Sequence, residues 1–165
     1  MSTSGRKAIE KTKRSPTQKN NPTSKRAAIE KALDTVTARI VKLRDDYRCQ
    51  RTGAILDKYE AEWCHIEGRG NRMLRWHPWN AITMKKSVHA ASHRYPDIFK
   101  AWFAYTFPRR SEFIESCLRK SPQPIRTYKM EELLESHKSL LAALEASEPV
   151  DRMKLVDNYC ERMVV

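Results

Sequence analysis

One histidine at position 65, an asparagine fifteen residues on at 80, and a pair of histidines at 89 and 93 constrain this chain more than any other feature. His89 and His93 stand four apart in Thr83-Met84-Lys85-Lys86-Ser87-Val88-His89-Ala90-Ala91-Ser92-His93, which holds no glycine and ends before Pro96. That spacing predicts a helix. Residues four apart share a helix face, so two imidazoles can reach one metal ion. His65 lies in Glu60-Ala61-Glu62-Trp63-Cys64-His65-Ile66, a short segment that stops at Gly68 and reads as a strand. The local order is strand, irregular loop, helix.

The flanks read more simply. Residues 1–23 carry Arg6, Lys7, Lys11, Lys13, Arg14 and Lys19 against Glu10 alone. With Pro16, Pro22 and many Ser, Thr and Asn residues, this composition describes a disordered basic arm, either touching phosphates or keeping the chain soluble. From Ser24 an apolar stripe runs through Ile29, Leu33, Val36, Ile40 and Leu43, one face of a helix over 24–46. The stripe packs into the core or, alternatively, against its copy in a homodimer. Tyr47 to Ile55, with a Thr52-Gly53 turn, is expected to open the strand ribbon. Beyond Pro96, residues 96–165 read as helices. The first, with Trp102 and Phe103, is expected to pack on the central segment. The acidic, leucine-rich stretch from Glu131 to Glu148 is expected to meet another subunit or a replication or recombination protein, with His137 on its surface. His77 is expected to be structural or a phosphate contact.

Charge narrows the partner. A net charge of +12 and a pI near 9.7 favour a polyanion, either nucleic acid or an acidic membrane surface. No apolar run approaches the ~18 residues of a membrane span, and the first residues lack the apolar core of a secretory signal, so an intracellular protein is expected. Cys49, Cys64, Cys117 and Cys160 are far apart and form no Cys-x-x-Cys pair, which argues against a disulfide framework and a four-cysteine zinc site.

The pattern His65, Asn80, His89-x-x-x-His93, with Cys64 before the first histidine, resembles that of HNH, or ββα-metal, nucleases such as the DNase colicins. A longer run resembles the NinG/Rap family of phage recombination endonucleases: Arg44-Asp45 and Cys49, then His65, Arg69-Gly70-Asn71 and Arg75-Trp76 followed by Asn80. The resemblance covers roughly residues 40–145. It implies an α+β, mostly helical fold, with a small ββα-metal (HNH) nuclease core at 47–95 flanked by N- and C-terminal helices. The core would be a two-stranded ribbon on one helix with a divalent ion between them. It also implies a cytoplasmic protein of a bacterial cell infected by or carrying a phage. The chain departs from the family where two Cys-x-x-Cys pairs hold a structural zinc. Here only Cys49 remains, with Thr52, Lys85 and Val88 at the partner positions, so a structural zinc does not carry over.

Phosphodiester hydrolysis needs a base to activate water and a cation to meet charge on the phosphorane and the leaving oxygen. His65, titrating near neutrality, is the candidate base. His89 and His93 are the candidate metal ligands. Cys64 is either a third ligand or a buried strand cysteine. By resemblance Asn80 holds the loop and helps to orient His65 through its amide; otherwise it is a turn residue after Pro78. Imidazole ligands favour zinc, manganese, nickel or cobalt over magnesium. Arg69, Arg72, Arg75, Lys85 and Lys86 are candidate DNA phosphate contacts, or else a solvated face. The expected function is a metal-dependent DNA endonuclease acting on branched recombination intermediates such as Holliday junctions. The alternatives are a general nicking or homing-type HNH enzyme, and a catalytically silent DNA-binding recombination accessory protein.

Overall fold

The structure, a computed structural model, describes residues 22–72, 74–120 and 125–163. The expected basic arm lies outside these residues, apart from positions 22 and 23, which begin the first helix. The order is α1 (Pro22–Arg44), β1 (Ala61–His65), a 3-10 turn (Pro78–Asn80), β2 (Ala81–Lys85), α2 (Lys86–Arg94), α3 (Pro96–Thr106), α4 (Pro108–Leu118), α5 (Thr127–Ala146) and α6 (Pro149–Arg162). The chain is mostly helical with one small antiparallel sheet, an α+β arrangement. Four helices, α1, α3, α4 and α6, start with proline, whose missing N–H costs nothing in a first turn.

The apolar stripe of α1 buries Ile29, Leu33, Ile40 and Val41, and Thr37 and Arg44 lie fully under the same face. Met130 and Leu134 of α5, with Trp63 and Trp76, cover its first half. Trp79 and residues of α5 and α6 cover its second half. A third cluster, under α2, α3 and α4, gathers Cys64, Ile82, Met84, Phe99, Phe103 and Ile114. Each fully buried Leu, Ile, Phe or Met contributes about 1.5–3 kcal/mol. These clusters fix where the ribbon sits.

The ribbon is β1 paired with β2, with Ala61 opposite Lys85 and His65 opposite Ala81. Two sequence expectations need correction. Thr83 to Lys85 belongs to a strand, and the helix begins at Lys86. Ile82, Thr83 and Met84 are wholly buried, and Asp45 Oδ2 accepts the Thr83 N–H at 2.7 Å, an anchor that a helix there would forfeit. Tyr47 to Ile55 is not a ribbon strand. It is a loop closed by one bridge, Arg48 to Ile55, turning at Gly53 with φ +73° and meeting β2 through Gln50 N–H and Thr83 O. A side chain at that φ is strained, which is why glycine suits the turn.

At the end of α1 the chain turns through Asp46 and Tyr47, both at left-handed φ (50° and 51°). Just before this turn lies a fully buried ion pair. Arg44 donates to both carboxylate oxygens of Asp45 (2.7 and 3.0 Å), to Pro78 O (2.8 Å) and to Ala81 O (2.8 Å). With Thr83 N–H on Asp45, the pair ties α1 to the 3-10 turn and to β2. Among the described residues no helix is long and apolar enough to cross a membrane.

Candidate functional site

The end of β1, the exposed side of α2 and the start of α3 enclose a cleft of about 360 Å³, lined by Trp63, His65, Arg69, His89, His93 and Lys100 among others. Three residues chosen from spacing alone, His65, His89 and His93, therefore share one concavity.

His65 closes β1 with its ring 4.1 Å from that of Trp63. Its Nε2 lies 3.1 Å from Arg75 O. A carbonyl can only accept, so Nε2 carries the hydrogen and Nδ1 keeps the lone pair. Burial lowers the His65 pKa to about 4, against the raising effect of the Arg75 carbonyl. The side chain is thus a neutral imidazole with a defined tautomer near neutral pH.

His89 and His93 stand on consecutive turns of α2 with their Nε2 atoms 3.1 Å apart. Two metal–nitrogen bonds of about 2.0–2.1 Å at a tetrahedral angle need a separation of roughly 3.3 Å, so the pair can meet one ion without rearrangement. His89 Nδ1 lies 2.7 Å from Glu62 Oε2. A carboxylate there holds the hydrogen on Nδ1 and leaves Nε2 as the ligating lone pair. Glu62 was given no role from sequence. Its signal lay in strand alternation, which puts it on the face of β1 that meets α2. Among the described residues no group of three or more His, Cys, Asp or Glu side chains is placed to hold a metal. Two imidazoles are what the cleft offers, in a set that suits zinc, nickel or manganese better than magnesium.

Cys64 does not join them. It shares the α2-facing side of β1 with Glu62 but lies beneath the helix, fully buried, its Sγ 3.9 Å from Ser92 Oγ. Burial pushes its thiol up to about 12, so it stays protonated. Of the two readings of this residue, the buried strand cysteine fits. Asn80 is also fully buried and does not touch His65. Its Oδ1 accepts Glu67 N–H at 2.8 Å, and its Nδ2 donates to Glu67 O (2.9 Å) and Leu74 O (3.1 Å). The amide cross-braces the loop over residues 66–80, and the neighbouring Arg75 carbonyl does the orienting.

The expected phosphate contacts divide. Arg69 is exposed on the cleft wall, its guanidinium 5.4 Å from the Trp63 ring centre. Arg72 is half-exposed and only 3.8 Å from Glu30. Lys85 is half-exposed near Glu60, and Lys86 is exposed at the start of α2. Arg75 is a correction: it is committed to Asp34 through two bonds (3.1 and 2.7 Å) and is mostly buried. Lys100, which sequence reasoning missed, reaches the cleft from α3 and pairs with Glu67. No local pattern pointed to it.

Two further histidines lie inside the protein. His77 is 1% exposed, too enclosed for a phosphate contact, and burial lowers it to about 3. His137 is wholly buried and not on the surface of α5 as expected. Its Nε2 lies 2.8 Å from Trp76 O and its Nδ1 2.8 Å from the Tyr159 hydroxyl. It falls in step with Met130, Leu134, Leu140 and Leu144, a stripe that marked it as inward. The positions where the family resemblance placed zinc ligands do converge. The Thr52 side chain and the Lys85 backbone hydrogen-bond Cys49, and Val88 packs on the same cluster. Cys49 is the one thiol among those four positions, so they cannot form a four-cysteine site.

Comparison with models of protein families, with curated proteins and with solved structures found no match.

Proposed function

We propose that the protein is a metal-dependent DNA endonuclease of the HNH (ββα-metal) kind. The observation that carries this reading is the meeting, in one cleft, of a neutral His65, its Nε2 held by the Arg75 carbonyl, and the His89/His93 pair. In the reaction His65 Nδ1 takes a proton from water as the water oxygen forms its bond to phosphorus and the bond from phosphorus to the leaving oxygen breaks. Burial disfavours the imidazolium, which weakens His65 as a base near neutral pH and speeds passage of the proton, once taken, to solvent. His89 and His93 would hold the ion, with Glu62 fixing the ring of His89. When bound, the ion supplies positive charge against the phosphorane and the leaving oxygen. Arg69 and Lys100 flank the cleft, with Arg72, Lys85 and Lys86 as further phosphate contacts.

Resemblance to the NinG/Rap family favours branched recombination intermediates as the substrate. A general nicking enzyme differs only in which phosphodiester it accepts. The test is a panel of labelled duplex, flap, fork and four-way substrates, each with zinc, manganese, nickel and magnesium. The expected outcome is ion-dependent cleavage that His65→Ala abolishes while DNA affinity stays near wild type. Wild-type cleavage by His65→Ala removes the assignment of the base. DNA binding with no cleavage under any ion favours the accessory-protein reading, which the two-ligand character of the cleft also suits.

A further inference from the structure

The carbonyl that holds His65 belongs to the peptide between Arg75 and Trp76, and one carboxylate on α1 grips the side chains on both sides of that peptide. Asp34 Oδ1 accepts from Arg75 Nε at 3.1 Å and from Trp76 Nε1 at 2.8 Å, while Oδ2 accepts from the second guanidinium nitrogen at 2.7 Å. Glu30, one turn earlier, lies 3.6 Å from the same guanidinium. The next carbonyl along, Trp76 O, is taken by His137. With both flanking side chains and the next carbonyl fixed, the 75–76 peptide has little freedom to rotate.

We propose that Asp34 is a positioning residue for His65, holding the Arg75 carbonyl in the one orientation that keeps the hydrogen on Nε2 and Nδ1 open to the cleft. The catalytic meaning rests on His65 being the base. The positioning itself can be read without any reaction. A carbonyl free to swing would release Nε2–H, and the imidazole would then populate both neutral tautomers, one of which has no lone pair on Nδ1. Asp34 makes no contact with the cleft, and its distance from His65 in sequence hides the connection.

The experiment uses the full chain with 15N-labelled histidine. Imidazole nitrogen shifts of His65 at neutral pH report its tautomer. DNA affinity and single-turnover cleavage are measured on the same samples. Asp34→Asn keeps the volume but turns an amide N–H₂ toward the Arg75 and Trp76 donors. It should bring the second tautomer into the His65 spectrum and slow cleavage by about 10- to 100-fold, with affinity unchanged. Asp34→Glu should restore part of both. Arg39→Ala removes a different α1 ion pair, that with Glu145, and should leave the tautomer and the rate alone. If Asp34→Asn fails to fold, Trp76→Phe removes one donor from the carboxylate and should produce a smaller change of the same kind. An unaltered His65 spectrum and rate in Asp34→Asn, or in Trp76→Phe where that variant stands in, overturns the proposal. A tautomer change in a protein that never cleaves DNA upholds the positioning and overturns the endonuclease reading instead.

Discussion

The two walls of the cleft are built in opposite ways. On the His65 side, residues 74–81 have carbonyls tied one by one: Leu74 to Asn80, Arg75 to His65, Trp76 to His137, and Pro78 and Ala81 to Arg44. On the other side, α2 has no buried residue, and its exposed start carries no side-chain cap. One hydrogen bond, donated by His89 Nδ1 to the Glu62 carboxylate, and a thiol contact between Cys64 and Ser92 join it to β1. His65 is therefore set by the fold before anything binds. The two imidazoles on α2 are set mainly by their helical spacing, and a bound ion would finish their arrangement.

Breaking the tied wall should have the largest effect. Asp45→Ala leaves Arg44 charged in the interior and Thr83 N–H without its acceptor, at a cost of about 3–5 kcal/mol. Denaturant unfolding measures it. A loss below about 1 kcal/mol would show the wall to be held by packing and not by the buried pair. The α2 wall should respond to ligand and hardly to substitution. Zinc at a hundred times its dissociation constant should stabilise the wild-type protein by about 2.7 kcal/mol. His89→Ala should lose that gain while changing the metal-free stability by no more than about 1 kcal/mol. Equal zinc stabilisation of both proteins would place the ion elsewhere.

Acid separates the two walls by a smaller amount. Burial holds His77 near 3 in the folded protein, so the unfolded chain, with its ordinary value of 6.5, takes up the proton first. The stability present above pH 6.5 is then lost as pH falls toward the folded value, by about 2 kcal/mol from this residue between pH 8 and pH 5. His65 and His137, also lowered by burial, act in the same direction. Denaturation midpoints at a series of pH values test this, and His77→Gln should make the profile shallower without abolishing it. A profile flat from pH 8 to pH 5 in the wild type would show His77 to be less enclosed than its 1% exposure. The smallest effect is expected at the rim. Arg72→Ala or Lys86→Ala should leave stability within about 0.5 kcal/mol and reduce the salt dependence of DNA binding by about one counterion each. An unchanged slope in both would take these side chains off the DNA.

The parts legible in the sequence were those with local periodicity. The stripe of α1, the short strand at His65 and the shared face of His89 and His93 each show within a dozen residues. The strand at Ala81–Lys85 was missed because nothing marks its junction with α2: no glycine, no proline, and a lysine in the capping position. Its state is decided by Asp45, Gln50 and β1, all distant in sequence. The same reason hid the roles of Asp34, Glu62 and Lys100, which depend on partners between 27 and 42 positions away. His137 was misplaced although its spacing pointed inward, because a polar residue in an acidic helix reads as solvated until a carbonyl and a hydroxyl are found opposite it. The thiol of Cys64 shows the limit of motif reasoning: the position was right for a ligand, but packing beneath α2 buries it in the core.

The buried pair at Arg44 and Asp45 also bears on where this protein can be cut. A fragment of residues 47–95 contains every residue that the family resemblance assigns to chemistry, and looks like an excisable module. Yet it would carry the Pro78 and Ala81 carbonyls and the Thr83 N–H without the groups that satisfy them. Transplanting the motif into another scaffold would meet the same obstacle. The smallest portable unit has to start upstream, with the helix that ends at Arg44, and that helix in turn needs α5 along its flank.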